Sequence, residues 1–210
     1  MIYNRNVIYC AIVIMINSAI RKGELKQLKW GDLDHNPHLE GEDKAIHHLI
    51  NIRGETTKTG KPRRVNSPTQ VWFDRLRVLS GIPKAGKHFP HVPVAYKDDY
   101  IFCKEGKGDQ PFGKGTWNNC WREIKERVVA VGGDWITKKN ISYYSFRHSG
   151  ISFAVQRGVN HLKLARNAGT GLRYIEAFYY HHEAELSTGE LSKGRTFFAK
   201  NTEVYEPLLE

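Results

Sequence analysis

A mostly α fold with a small antiparallel β-sheet (α+β) is what this 210-residue sequence predicts. Three observations point there. Residues 7–16 are almost wholly apolar and suit a buried helix, and several later segments carry helix caps and stops. Strand-like alternation is confined to residues 48–53 and 63–65, which flank a polar turn.

Taken in order, residues 5–18 read as the buried helix. Arg5 before the apolar run, with Ser18 and Ala19 after it, gives a rough signal-peptide outline. The run falls short of the roughly 20 residues that span a bilayer, and the charged segment that starts at Arg21 favours a core helix. Neither export nor a membrane span is expected. Residues 21–29 read as a second helix with Leu25 and Leu28 on one face, ended by residues 31–34. The segments 48–53 and 63–65 form a hairpin whose exposed, basic tip is Thr57-Lys58-Thr59-Gly60-Lys61-Pro62. Residues 71–79 are amphipathic and helical, and 80–99, rich in Gly, Pro and His, form a loop. A short strand at 100–103 precedes a Gly/Lys-rich loop over 104–115. Thr116 caps a helix to about Val131. Ser142 opens a helix that carries Arg147 and His148 and stops at Gly158, which suits a C′ position. Asn160 caps a short helix ending near Gly169, and a last helix covers residues 172–181.

Composition narrows the partners. Lys and Arg number 32 against 22 Asp and Glu, a net charge of +10, which favours a polyanion, nucleic acid ahead of anionic membrane. Cys10, Cys103 and Cys120 are far apart and match no metal-ligand spacing; they read as thiols in a reducing compartment, hence a cytoplasmic location. The pairs His47/His48, His88/His91 and His181/His182 lack acidic or Cys companions, and read as solvated or DNA-facing histidines, not metal ligands.

Four separated features bear on chemistry. Arg21 at a helix start, with Glu24 three residues on, places a charged pair on one face; alone it reads as a surface ion pair. Lys58 at the hairpin tip can swing into a substrate, though turn lysines are common. Tyr144, Arg147 and His148 share a helical face at i, i+3 and i+4 and can clamp a phosphate; the alternative is a partly buried ion-pairing helix. The segment Ala168 to His182, which carries the last helix, is rich in aromatics, which more often means core than catalysis.

In combination and in this order, the features resemble the tyrosine recombinases, specifically the phage-type integrases. The first family box, G-L-R-x-x-E-L-x-x-L-x-W-x-D, is matched at Arg21, Glu24, Leu25, Leu28, Trp30 and Asp32. The hairpin pattern S/T-K-T-G-K is matched from Thr57 to Lys61, which puts the family's lysine at Lys58. The second box, H-x-L-R-H-T, is matched at Phe146, Arg147 and His148, with Ser149 for Thr. The pattern I-E-x-x-Y-x-H is matched at Ile175, Glu176, Tyr179 and His181. Two positions depart: Tyr144 stands where the second box opens with His, and Thr170 where His or Trp precedes the tyrosine by nine residues. The general base is then open between His148 and His181.

The resemblance, which covers residues 6–182, implies the tyrosine-recombinase catalytic-domain fold and site-specific cleavage and rejoining of DNA through a 3′-phosphotyrosyl bond. Arg21 and Arg147 would stabilise charge on the phosphate, Lys58 would protonate the leaving oxygen, and Tyr179 would attack. Tyr180 would point about 100° away on the helix. Because the tyrosyl bond conserves the phosphodiester energy, neither ATP nor a divalent metal is called for, and no cofactor is expected. Double-stranded DNA and a homotetramer on it are the partners implied. Residues 1–182 are expected to form the catalytic domain. The first box begins about twenty residues from Met1, so no N-terminal core-binding domain is expected before it, and DNA binding is expected to be weak and salt-sensitive. Residues 183–210 form a tail that docks on a neighbouring protomer or folds on its own domain. Two other readings are a non-catalytic helix-turn-helix module over residues 160–180 and a type IB topoisomerase-like enzyme.

Overall fold

The computed structural model describes residues 2–41, 46–133 and 135–179, with Trp135, Phe178 and Tyr179 as backbone only. At its centre lies α1 (Ile2–Ser18), with Tyr3, Val7, Ile8, Cys10, Ala11, Ile14 and Met15 buried. A helix apolar on nearly every side has to be surrounded, and α1 packs against helices and strand β3 alike. Among the described residues no helix is long and apolar enough to cross a membrane. Ser18 ends α1 by donating its hydroxyl to the Ile14 carbonyl at 2.6 Å, and Ala19 turns the chain at a left-handed φ of 54°.

The helix expected over residues 21–29 is a single turn, α2 (Lys22–Leu25). Leu25 and Leu28 are both buried, but the backbone after Leu25 is taken up elsewhere. The Lys29 N–H donates to Asp32 Oδ2 at 2.8 Å, and the Trp30 N–H to the Asp99 carbonyl at 3.1 Å. A 3-10 turn (Trp30–Asp32) then leads into β1 (Leu33–His35), where the sequence suggests only a helix stop over residues 31–34. With β2 (His48–Ile52) and β3 (Arg63–Ser67) it forms an antiparallel sheet of order β1-β2-β3, pairing Leu33 with Ile50 and Ile50 with Val65.

Helix α3 (Gln70–Leu79) buries Phe73 and Leu76. A second hairpin, β4 (Cys103–Lys104) and β5 (Lys107–Pro111), occupies what reads as a loop in sequence. Its strands are polar and β5 is half exposed, so alternation of apolar residues does not reveal them. Helices α4 (Lys114–Ala130) and the short α5 (Trp135–Lys138) precede α6 (Tyr143–Gln156). Ser142 caps α6 by accepting from the Tyr144 N–H, and Gly158 follows it at φ 72°. Asn160 caps α7 (His161–Ala168) by accepting from the N–H groups of Leu162 and Lys163; α8 (Leu172–Tyr179) follows.

The apolar interior has two parts. A large one surrounds α1 and includes Trp30, Ile50, Phe73, Phe102 and Trp117. A small one, rich in alanine, joins α6, α7 and α8 through Ile151, Ala154, Val155, Leu164, Ala165, Ala168 and Ile175. One histidine departs from expectation. His48 is not solvated: it is fully buried, its ring 4.6 Å from Phe89 and 5.1 Å from Phe73. All three cysteines are buried and unpaired. Residues 183–210, with His181, His182 and Tyr180, lie outside the described residues.

Candidate active site

The site forms where the chain leaves α1. Arg21 has extended backbone at the N-cap of α2, and its N–H donates to Glu24 Oε2 at 3.0 Å while its guanidinium donates to Oε1 at 3.0 Å. A Glu three residues past the cap is placed to reach back in this way. Glu24 is only 1% exposed, and a lone buried carboxylate is costly. It is not alone. Arg63, at the start of β3, donates to both of its oxygens, NH1 to Oε1 at 2.9 Å and NH2 to Oε2 at 2.7 Å. Burial pushes the Glu24 carboxyl up, but the bonds and charge of Arg63, with the bonds from Arg21, outweigh it and hold the group below its ordinary value.

Both arginines also reach the turn between α7 and α8. Arg63 Nε donates to the Asn167 carbonyl at 3.2 Å and NH2 to that of Ala168 at 3.4 Å; Arg21 NH2 donates to that of Gly169. Cations at the C-terminal carbonyls of a helix are favourable. Gly169 is required here twice over. Its φ is 65°, and a Cβ on it would lie 2.6 Å from Arg63 Cζ.

Arg147 approaches from α6. It is 2% exposed and donates NH1 to the carbonyl of Ala19, the residue that follows α1. Burial, then the positive charge of Arg21, pulls its guanidinium down to about 10. It therefore stays protonated at neutral pH by about a thousandfold. Beside it on α6, the exposed Tyr144 meets His148 edge-on, ring centres 4.4 Å apart, and His148 lies 6.5 Å from the ring of Tyr174 on α8. Burial, with the charge of Arg147, holds His148 below its ordinary value, which favours the neutral imidazole. Tyr174 is raised, by burial and then by its hydrogen bond with Tyr144.

Lys58 is exposed at the tip of the β2–β3 hairpin. The root of that hairpin is clamped. Arg53 pairs with Asp32 at 3.1 Å and donates to the Gln27 carbonyl at 2.6 Å. The Thr56 and Thr57 hydroxyls close the turn onto the carbonyls of Arg53 and Gly54. Thr170 is half-buried in the α7–α8 turn, where its N–H donates to the Ala165 carbonyl at 3.0 Å, and Tyr179 closes α8. The structure thus brings Arg21, Glu24, Arg147, Tyr144 and His148 to one locality, with Thr170 at the adjoining turn. His181 is beyond the described residues.

Arg63 is the residue that sequence reasoning missed. Its signal was present: alternation along β3 puts Arg63 on the same side as the buried Val65 and Ser67. A guanidinium on a buried strand face needs an acid, and Glu24 supplies it.

Lys22 lies beside the same corner, its ammonium 4.2 Å from the centre of the Tyr143 ring. Among the described residues no group of three or more His, Cys, Asp or Glu is arranged to hold a metal ion.

No protein-family model and no curated protein matches the chain. Solved structures do. XerH site-specific recombinase bound to palindromic difH substrate, in its post-cleavage complex, superposes with a TM-score of 0.53 at 15% identity over 93% of this chain and 46% of that one. The Tn1549 transposon integrase in complex with circular intermediate DNA gives 0.53 at 16% over 88% and 57%. XerA recombinase gives 0.52 at 15% over 97% and 62%. The chain therefore spans about half to three-fifths of the length of these proteins. At such identities the likeness speaks for architecture. The chain has the catalytic-domain fold of the tyrosine recombinases.

Proposed function

We propose that the protein is a site-specific DNA recombinase that cuts and rejoins strands through Tyr179. The observation that carries this reading is the convergence of Arg21 and Arg147, from opposite ends of the sequence, at the corner against which the α7–α8 turn packs. In the proposed reaction the Tyr179 phenolic oxygen attacks a phosphodiester in line. A bond forms from that oxygen to phosphorus, the bond from phosphorus to the 5′-oxygen breaks, and charge grows on the non-bridging oxygens. Guanidiniums already in place stabilise that charge without reorganising. A tyrosine loses its proton near pH 10 in water. The reading gives the proton to His148, neutral and next to Tyr144, or to His181. The 5′-oxygen receives a proton from Lys58, which the hairpin must carry in when DNA binds. Attack by another 5′-hydroxyl reverses the step and releases Tyr179. Thr170 lines the approach to the phosphate in place of the family's His or Trp.

Double-stranded DNA as partner is supported by the net charge of +10 and by the DNA complexes among the similar structures. Assembly as a tetramer on that DNA, and action in the cytoplasm, belong to the same reading. The test is a nicked suicide substrate that traps the cleaved strand. Wild type is expected to yield a protein–DNA adduct stable in detergent, and Tyr179→Phe none. Adduct formation that survives Tyr179→Phe but not Tyr180→Phe would move the nucleophile. A salt-labile complex alone would indicate a DNA-binding module without chemistry.

A further inference from the structure

Two guanidiniums hold one buried carboxylate, and their bonds to it are unequal. Arg63 takes both oxygens of Glu24 in a fork, at 2.7 and 2.9 Å, while the Arg21 guanidinium keeps one bond, to Oε1 at 3.0 Å. The side chain of Arg63 is 13% exposed and that of Arg21 is 31% exposed, so Arg21 is the one turned toward solvent, with its NH2 on the Gly169 carbonyl. Arg63 is fastened in that stance. It bonds the carbonyls of Asn167 and Ala168 and fills the space left by the absent Cβ of Gly169. The strand is also joined to the same turn, since the Asn66 N–H donates to Asn167 Oδ1 at 2.9 Å.

Resting on the recombinase reading above, we propose that Arg63 is a positioning residue. By satisfying both oxygens of Glu24 it keeps Arg21 from closing into a full ion pair with the carboxylate, and so leaves the Arg21 guanidinium directed at the scissile phosphate. The physical basis is the preference of a buried carboxylate for a two-point guanidinium partner. Without Arg63, Arg21 is the nearest cation and the carboxylate takes it. A lysine at position 63 is a point charge and does not span both oxygens, so it leaves the same opening.

The experiment measures the rate of adduct formation at saturating nicked substrate, with DNA affinity measured separately. Arg63→Met and Arg63→Lys are each expected to slow cleavage by about 10- to 100-fold, with a much smaller change in affinity. Adding Glu24→Gln removes the charge that captures Arg21, so each double variant is expected to cleave at least about fivefold faster than its Arg63 single variant. A purely structural Arg63 makes the double variants no faster than the singles, and that result overturns the proposal. So does an Arg63→Met rate within about twofold of wild type. Should Arg63→Met fail to fold, Arg63→Lys carries the same comparison. Absence of adduct from wild type would instead remove the recombinase reading itself, a distinct outcome.

Discussion

At His48 a single imidazole sits among Phe73, Phe89 and the Thr69 hydroxyl, with no exposed surface. Burial, with the neighbouring His47, pulls its pKa from 6.5 to about 3. The unfolded chain therefore binds a proton there that the folded protein refuses, in the window between those values. The stabilising difference is complete above pH 6.5 and is lost as pH falls toward 3, at a rate approaching about 1.4 kcal/mol per pH unit. Glu24 adds to acid lability only lower down, because its depressed carboxyl keeps its stabilising effect above the unfolded value of 4.5 and loses it below. Urea midpoints between pH 7 and 5 are thus expected to fall for wild type and to flatten in His48→Phe; parallel slopes would disprove the assignment. At this scale the sequence was half legible. Spacing paired Arg21 with Glu24 and Arg147 with His148, whereas the meeting of the two pairs was an implication of the family resemblance alone. Arg63 was overlooked although strand alternation marks its side, and His48 was misread because a His pair carries no local sign of which ring faces inward.

The helices and strands repeat the pattern of what is readable. α1, α3, α6 and α7 lie within a few residues of the periodicity and cap signals, since Ser142, Asn160, Gly158 and Gly169 act through their immediate neighbours. The run 21–29 fails as a helix because the Ile101 N–H takes the Leu28 carbonyl at 2.9 Å and Asp99 takes the Trp30 N–H. Partners some seventy residues away leave no trace in a window of ten. The crossing of α1 and α6 illustrates another nonlocal demand. A Cβ on Gly150 would sit 2.1 Å from the Ile16 carbonyl oxygen, which is backbone and has little room to retreat. Gly150→Ala is expected to cost about 1–3 kcal/mol, read as a lower urea midpoint. It should also slow adduct formation, because Arg147 lies one turn away on α6. An unchanged midpoint would mean that the two helices part without penalty.

For the whole molecule, fold class followed from periodicity and cap signals, whereas the division of the interior did not, since it depends on which helices meet. That division has a consequence for motion. Tyr179 is borne by α8, which belongs to the small interior and is tied to the rest of the protein at residues 167–169 by Arg63 and Arg21. Alanine contributes little apolar area, so this part opens more cheaply than α1, wrapped by the large interior. Hydrogen exchange is expected to show the amides of residues 164–168 opening at least about 2 kcal/mol more easily than those of 8–15; equal protection would refute it. Tyr179, the proposed nucleophile, would then ride on a part of the fold able to detach and reseat while the remainder stays rigid.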